Sequence, residues 1–145
     1  MSGERPVPYG DAWPHELSEA TCRRLLGEKA IGRLVWHGQD GPSAQPVNYA
    51  VDGDDILVRL SPYSLAAREC VGSVVAFEVD HVDPRTRRGW SVLARGLAQR
   101  EPLPSSRTQV DVWPAGRRSL VLRIEVTRLT GRDLDKALLT IRTRA

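Results

Sequence analysis

Leu120-Val121-Leu122-Arg123-Ile124-Glu125-Val126-Thr127 decides the fold class of this chain. Leu120, Leu122, Ile124 and Val126 alternate with Val121, Arg123, Glu125 and Thr127, a period of two that puts one face of a strand in a core and the other in water. Half-buried strands of this kind build antiparallel sheets. Gly131 closes the segment. The same alternation recurs in Ser73 to Asp80, where Val75, Phe77 and Val79 face one way and Val74, Ala76 and Glu78 the other.

Between these two strands, Asp83-Pro84 turns the chain into a long strand from Gly89 to about Arg100, long enough to bend around a barrel, with Gly96 at the bend or at a bulge. Upstream, strands at Ala30–Trp36 and about Ala44–Val51 flank the turn residues Gly38 to Pro42 and form a hairpin. Asp52-Gly53-Asp54 turns again into Ile56–Leu60. One helix starts at Leu17-Ser18-Glu19, capped by Ser18, with Cys22, Leu25 and Leu26 on one face and Gly27 at its end. A second runs from Ser61-Pro62 to about Cys70, and a short segment around Val110–Trp113 precedes the last strand. This order predicts a mainly β fold: an antiparallel six-stranded barrel with short flanking helices. Residues 1–16 read as an irregular arm, 17–132 as the domain and 133–145 as a short basic tail. A small barrel leaves ligands to its mouth or to a subunit interface.

Composition narrows the function classes. The 145 residues suit one domain with a real core. With 21 Lys+Arg against 18 Asp+Glu, the charge of +3 comes from scattered arginines. Arg85-Thr86-Arg87-Arg88 reads as a solvated hairpin tip, and nucleic acid is not expected as a partner. Cys22 and Cys70 are isolated, which suggests neither disulfides nor zinc and fits a reducing cytoplasm. His15, His37 and His81 lack metal-ligand spacing, so no metal is expected. Residues 1–16 hold three prolines and no apolar run, so neither a signal peptide nor a membrane span is expected there. Trp13, Trp36 and Trp113 read as packing residues, Trp13 as a cover for the site or a dimer seam.

Chemistry concentrates in Arg59-Leu60-Ser61-Pro62-Tyr63-Ser64. A strand delivers an arginine, whose planar fork matches a phosphate, directly into a helix start with Ser61 at the cap and Pro62 at the first helical position. Unpaired amides at such a start attract an anion. No Ser-His-Asp, Cys-His or paired-carboxylate arrangement is apparent, so catalytic residues are not assigned and any chemistry belongs to a cofactor.

Taken in order, Ile31-Gly32-Arg33-Leu34, Gln45-Pro46-Val47-Asn48-Tyr49, the Arg59-to-Ser64 turn, Phe77-Glu78-Val79-Asp80 with Gly89-Trp90-Ser91-Val92, and Leu129-Thr130-Gly131-Arg132 resemble the pyridoxamine 5′-phosphate oxidase-like, FMN-binding split-barrel proteins. The resemblance spans about Leu17 to Arg132. It implies a homodimer with FMN in a groove between two split barrels. It also implies that Arg59, Ser61 and Ser64 hold the phosphate, that the strand Pro46, Val47, Asn48 and Tyr49 lies along the flavin ring, and that Trp90 and Ser91 face the flavin. Alternation leaves Pro46, Asn48 and Ala50 on the face opposite Val47, Tyr49 and Val51, where the Asn48 amide suits the ring's polar edge.

Two departures stand out. Leu60 occupies the place of a threonine and Leu65 that of a lysine in the phosphate turn of many relatives. A lost charge-assisted bond to phosphate costs ~1.5–3 kcal/mol, unless Arg68 or a partner's arginine replaces it. The basic, substrate-gripping C-terminal region of true vitamin B6 oxidases is not found in Asp133 to Ala145. The expected function is thus a cytoplasmic FMN-dependent oxidoreductase acting on an unidentified small molecule. A deazaflavin coenzyme is a variant, and a non-catalytic carrier of flavin, deazaflavin or haem is the alternative.

Overall fold

Residues 15–102 and 120–133, which the computed structural model describes, run through seven strands and two helices. They are β1 (His15–Glu16), α1 (Glu19–Leu26), β2 (Ile31–Gly38), β3 (Gly41–Asp52), β4 (Asp55–Leu60), α2 (Leu65–Cys70), β5 (Ser73–Asp83), β6 (Arg88–Arg100) and β7 (Leu120–Asp133). Strands β2 to β7 close into a ring in the order β2-β3-β4-β7-β6-β5, every contact antiparallel. The expected six-stranded antiparallel split barrel is the observed fold. Closure removes the exposed sheet edges that invite aggregation.

Alternation places the core where the sequence pattern predicts. Val75, Phe77 and Val79 of β5 and Leu120, Leu122 and Ile124 of β7 fill the interior with Leu34, Ile56, Val58 and Val92. Phe77 is fully buried, with Tyr49 edge-on at 4.8 Å between ring centroids. Gly32 makes room for it, since a Cβ there would lie 2.4 Å from Phe77 Cζ. Among the described residues, no helix is long and apolar enough to cross a membrane.

The helices close the barrel ends beside β2. Ser18 Oγ accepts from the Thr21 amide at the start of α1, and Cys22, Leu25 and Leu26 enter the core. The Tyr49 hydroxyl donates to the Leu26 carbonyl, tying α1 to β3. At the other end of β2, Glu69 of α2 accepts from Trp36 Nε1 at 3.2 Å and from the Gln39 amide at 2.6 Å. Gly96 sits at a β-bulge, where the β6–β7 register shifts between Arg95 and Gly96. A Cβ there would meet the Glu125 carbonyl at 1.9 Å.

Three elements differ from expectation. The last strand reaches Asp133 rather than Leu129, because β6 pairs along its whole length and His15 and Glu16, placed in the irregular arm by sequence, pair with Asp133 and Arg132. The second helix begins at Leu65, not at Ser61. Trp13, Trp113, the Val110–Trp113 segment, residues 1–14 of the arm and residues 134–145 of the tail lie outside the described residues.

Candidate functional site

Strand alternation builds the site. Ile56, Val58 and Leu60 fill the interior, so Leu57 and Arg59 point outward from β4. On β3, Val47 and Tyr49 turn inward, leaving Pro46, Asn48 and Ala50 on the outer face. Because Tyr49 pairs with Val58, the antiparallel register sets Asn48 beside Arg59 one step further along. Asn48 is 4% exposed, the one buried polar residue among the described residues, and Leu57 is 3% exposed. Arg59 is half-buried, and both it and Asn48 have partners in the structure. The result is a guanidinium and an amide side by side on an apolar outer surface.

A strand edge lies alongside. β3 begins at Gly41, yet β4 pairs with it only from Tyr49 to Asp52. Among the described residues, the edge of β3 facing away from β2 has no strand partner from residue 42 to 48. Its backbone N–H and C=O groups need partners, and a planar ring with a polar rim can supply them. Val47 and Tyr49 can reach such a ring through backbone only, since their side chains belong to the core.

The turn after Arg59 is built differently from the sequence reading. Ser61 does not cap the helix. The Ser64 amide donates to the Ser61 carbonyl at 3.1 Å, which makes Ser61-Pro62-Tyr63-Ser64 a β-turn with proline at its second position. Ser64 is the cap: its Oγ accepts from the Ala67 amide at 3.1 Å and donates to the Ser61 carbonyl at 2.7 Å. The Ser61 hydroxyl accepts from the Tyr63 amide at 3.3 Å and keeps its proton for another acceptor. Tyr63, given no role by sequence, projects from this turn 89% exposed. Its signal was an aromatic ring in a turn, outside any buried alternation.

Trp90 and Ser91 are not brought to this face within one chain. They lie on β6, three strands from β3 in either direction around the ring. Ser91 lines an outer cleft with Glu78. Trp90 packs against the core, its ring centroid 6.5 Å from that of His81. The Arg85–Arg88 segment is an exposed tip, as expected, anchored by the Arg85 amide on Asp83 Oδ1 at 2.9 Å.

Buried titratable groups are held in their neutral forms. Burial pushes Tyr49 and Cys70 up to about 12 and raises Cys22 as well. These groups neither relay protons nor act as nucleophiles near neutral pH. The outer face therefore offers binding chemistry: a cation, an amide, a hydroxyl and open backbone.

The chain is similar to known proteins over most of its length. The family profile described as pyridoxamine 5′-phosphate oxidase matches residues 18–133. An uncharacterized protein of Mycobacterium tuberculosis, Rv0080, is 39% identical over 88 residues, 57% of this chain and 58% of that protein. The structure of the FAD binding protein from Mycobacterium smegmatis is 26% identical and covers 83% of this chain and 98% of its own, with a TM-score of 0.67. A FAD-binding protein of Mesorhizobium loti, 21% identical, covers 83% of this chain and 97% of its own with a TM-score of 0.66, a likeness of fold alone.

Proposed function

The chain belongs to the pyridoxamine 5′-phosphate oxidase family, and on this basis we propose that it binds a flavin nucleotide on the outer face of β2–β4 and serves as a flavin-dependent oxidoreductase. One observation carries the reading: Arg59 and the buried Asn48 adjoin on an outward surface beside the open edge of β3. Arg59 pairs with the flavin's ribityl phosphate, aided by the Ser61 hydroxyl. Ser64 holds the turn. Asn48 and the backbone of Pro46 to Tyr49 meet the polar rim of the ring. The bound flavin supplies the hydride or electron transfer.

The ribityl phosphate is common to FMN and FAD. FMN is the coenzyme expected from the sequence, and the FAD named for the Mycobacterium smegmatis neighbour makes FAD its competitor. A second copy of the chain completes the site, because only a partner can bring Trp90 and Ser91 of β6 to the face that carries Arg59. The substrate is a small molecule reaching the ring from this dimer groove.

The absorption spectrum of freshly purified protein, with mass identification of what denaturation releases, tests the coenzyme and separates FMN, FAD and deazaflavin. Arg59→Ala is expected to weaken flavin binding to the apo-protein by about tenfold or more, the loss of a charge-assisted bond. Unchanged affinity overturns the assigned turn. Steady-state turnover with a reduced nicotinamide and an acceptor distinguishes the oxidoreductase from a carrier, which binds flavin without turnover.

A further inference from the structure

The far side of the ring carries a second concave surface. On the outer face of β5, β6 and β7 a cleft of about 550 Å³ is lined by Arg95, Arg128 and Arg132, with Ser91, Thr130 and Glu78 between and beside them. Arg95 and Arg128 are cross-strand partners. Both are exposed, and among the described residues neither they nor Arg132 forms a hydrogen bond or ion pair. Like charges directly opposite in a sheet destabilise it. The fold holds two of them side by side in a concavity, and a third two pairs along, where Arg132 faces Ser91.

We propose that this cleft binds the phosphate group of a small molecule, seated between Arg95 and Arg128 with Thr130 beside it. A planar carboxylate is satisfied by one guanidinium fork, whereas a tetrahedral oxyanion offers oxygens to two forks approaching from adjacent strands and to a hydroxyl. The volume falls in the range of small-molecule sites. Glu78 and Glu16 also line the cleft, toward β5 and β1. They leave the guanidinium pair at one end and carboxyl groups at the other, which suits a compact ligand with one anionic end rather than a polyanion. Glu78 is already drawn toward β2 by Arg33, at 3.6 Å. The inference stands apart from the flavin reading, since no residue of the Arg59 face takes part.

Calorimetric titration of the full chain with inorganic pyrophosphate, at constant ionic strength, tests it. Saturable binding is expected, retained in Arg59→Gln and weakened by about tenfold or more in Arg95→Gln and Arg128→Gln. Removing one of two facing charges should also raise the melting temperature of the ligand-free protein by about 1–4 °C, which establishes that Arg128→Gln is folded. Flavin affinity should not change in that variant. No binding to the parent chain, equal binding in Arg128→Gln, or citrate binding as tightly as pyrophosphate overturns the proposal. Loss of pyrophosphate binding in Arg59→Gln alone overturns it too and places the phosphate at the flavin face.

Discussion

Glu78 shows how much one residue's behaviour depends on neighbours remote in sequence. Burial, a hydrogen bond to Asp80 and repulsion by it push the Glu78 carboxyl up to about 7, against the pull of Arg33. Between about 4.5 and 7 the folded protein keeps a proton that the unfolded chain has released, so stability falls as pH rises through that window and levels off above it. Thermal melts of the parent chain should therefore decline from pH 5 to pH 8. Glu78→Gln should flatten that slope and melt higher at pH 8; an unchanged slope would place the titration elsewhere. The outward direction of Glu78 was legible from alternation alone, as were those of Asn48 and Pro46. Its titration was not, because Arg33 lies on β2 and reaches Glu78 only through the β2–β5 pairing.

At the level of elements, sequence located each strand and both helices but misread one boundary. Ser61-Pro62 has the composition of a helix start, and Ser64 has it too. Two serines competed for the cap. The chain leaves β4 toward β2 and β5 and needs a tight turn first, so proline serves the turn and Ser64 the helix. Ser64→Ala should cost about 1 kcal/mol in urea unfolding through loss of the cap, and Ser61→Ala should cost clearly less. Equal losses would restore Ser61 as the cap. Gly96 was better marked, since a glycine within a long alternating strand signals a bulge or a close approach, and the structure has both.

For the molecule as a whole, closure of the ring is reinforced by Arg123. Its guanidinium donates to Glu101 at 2.6 Å, to Asp52 at 2.7 Å and to Asp55 at 3.1 Å, clamping the β3–β4 hairpin and the end of β6 to β7. Bonds to Glu101 and Asp52 raise the arginine further above its already high value. Arg123→Leu should leave three carboxylates facing one another and destabilise the fold by about 2–3 kcal/mol at neutral pH, less below pH 4 as the carboxyls take up protons. Chemical unfolding at the two pH values measures this, and an equal loss at both would argue against charge as the cause. Sequence showed Arg123 only as the polar partner of Ile124, with no hint that three acids converge on it. The general lesson follows from what each level encodes. Alternation, turn residues and helix caps act over a few positions, so the sequence by itself determined the antiparallel β class, the order of strands and helices, the inward and outward faces and the arginine that leads into the turn. Which strands meet, that the ring closes, that Asn48 stands beside Arg59 and that Arg95 faces Arg128 were decided only by the tertiary structure, because these contacts join positions distant along the chain whose pairing depends on the packing of every strand between them.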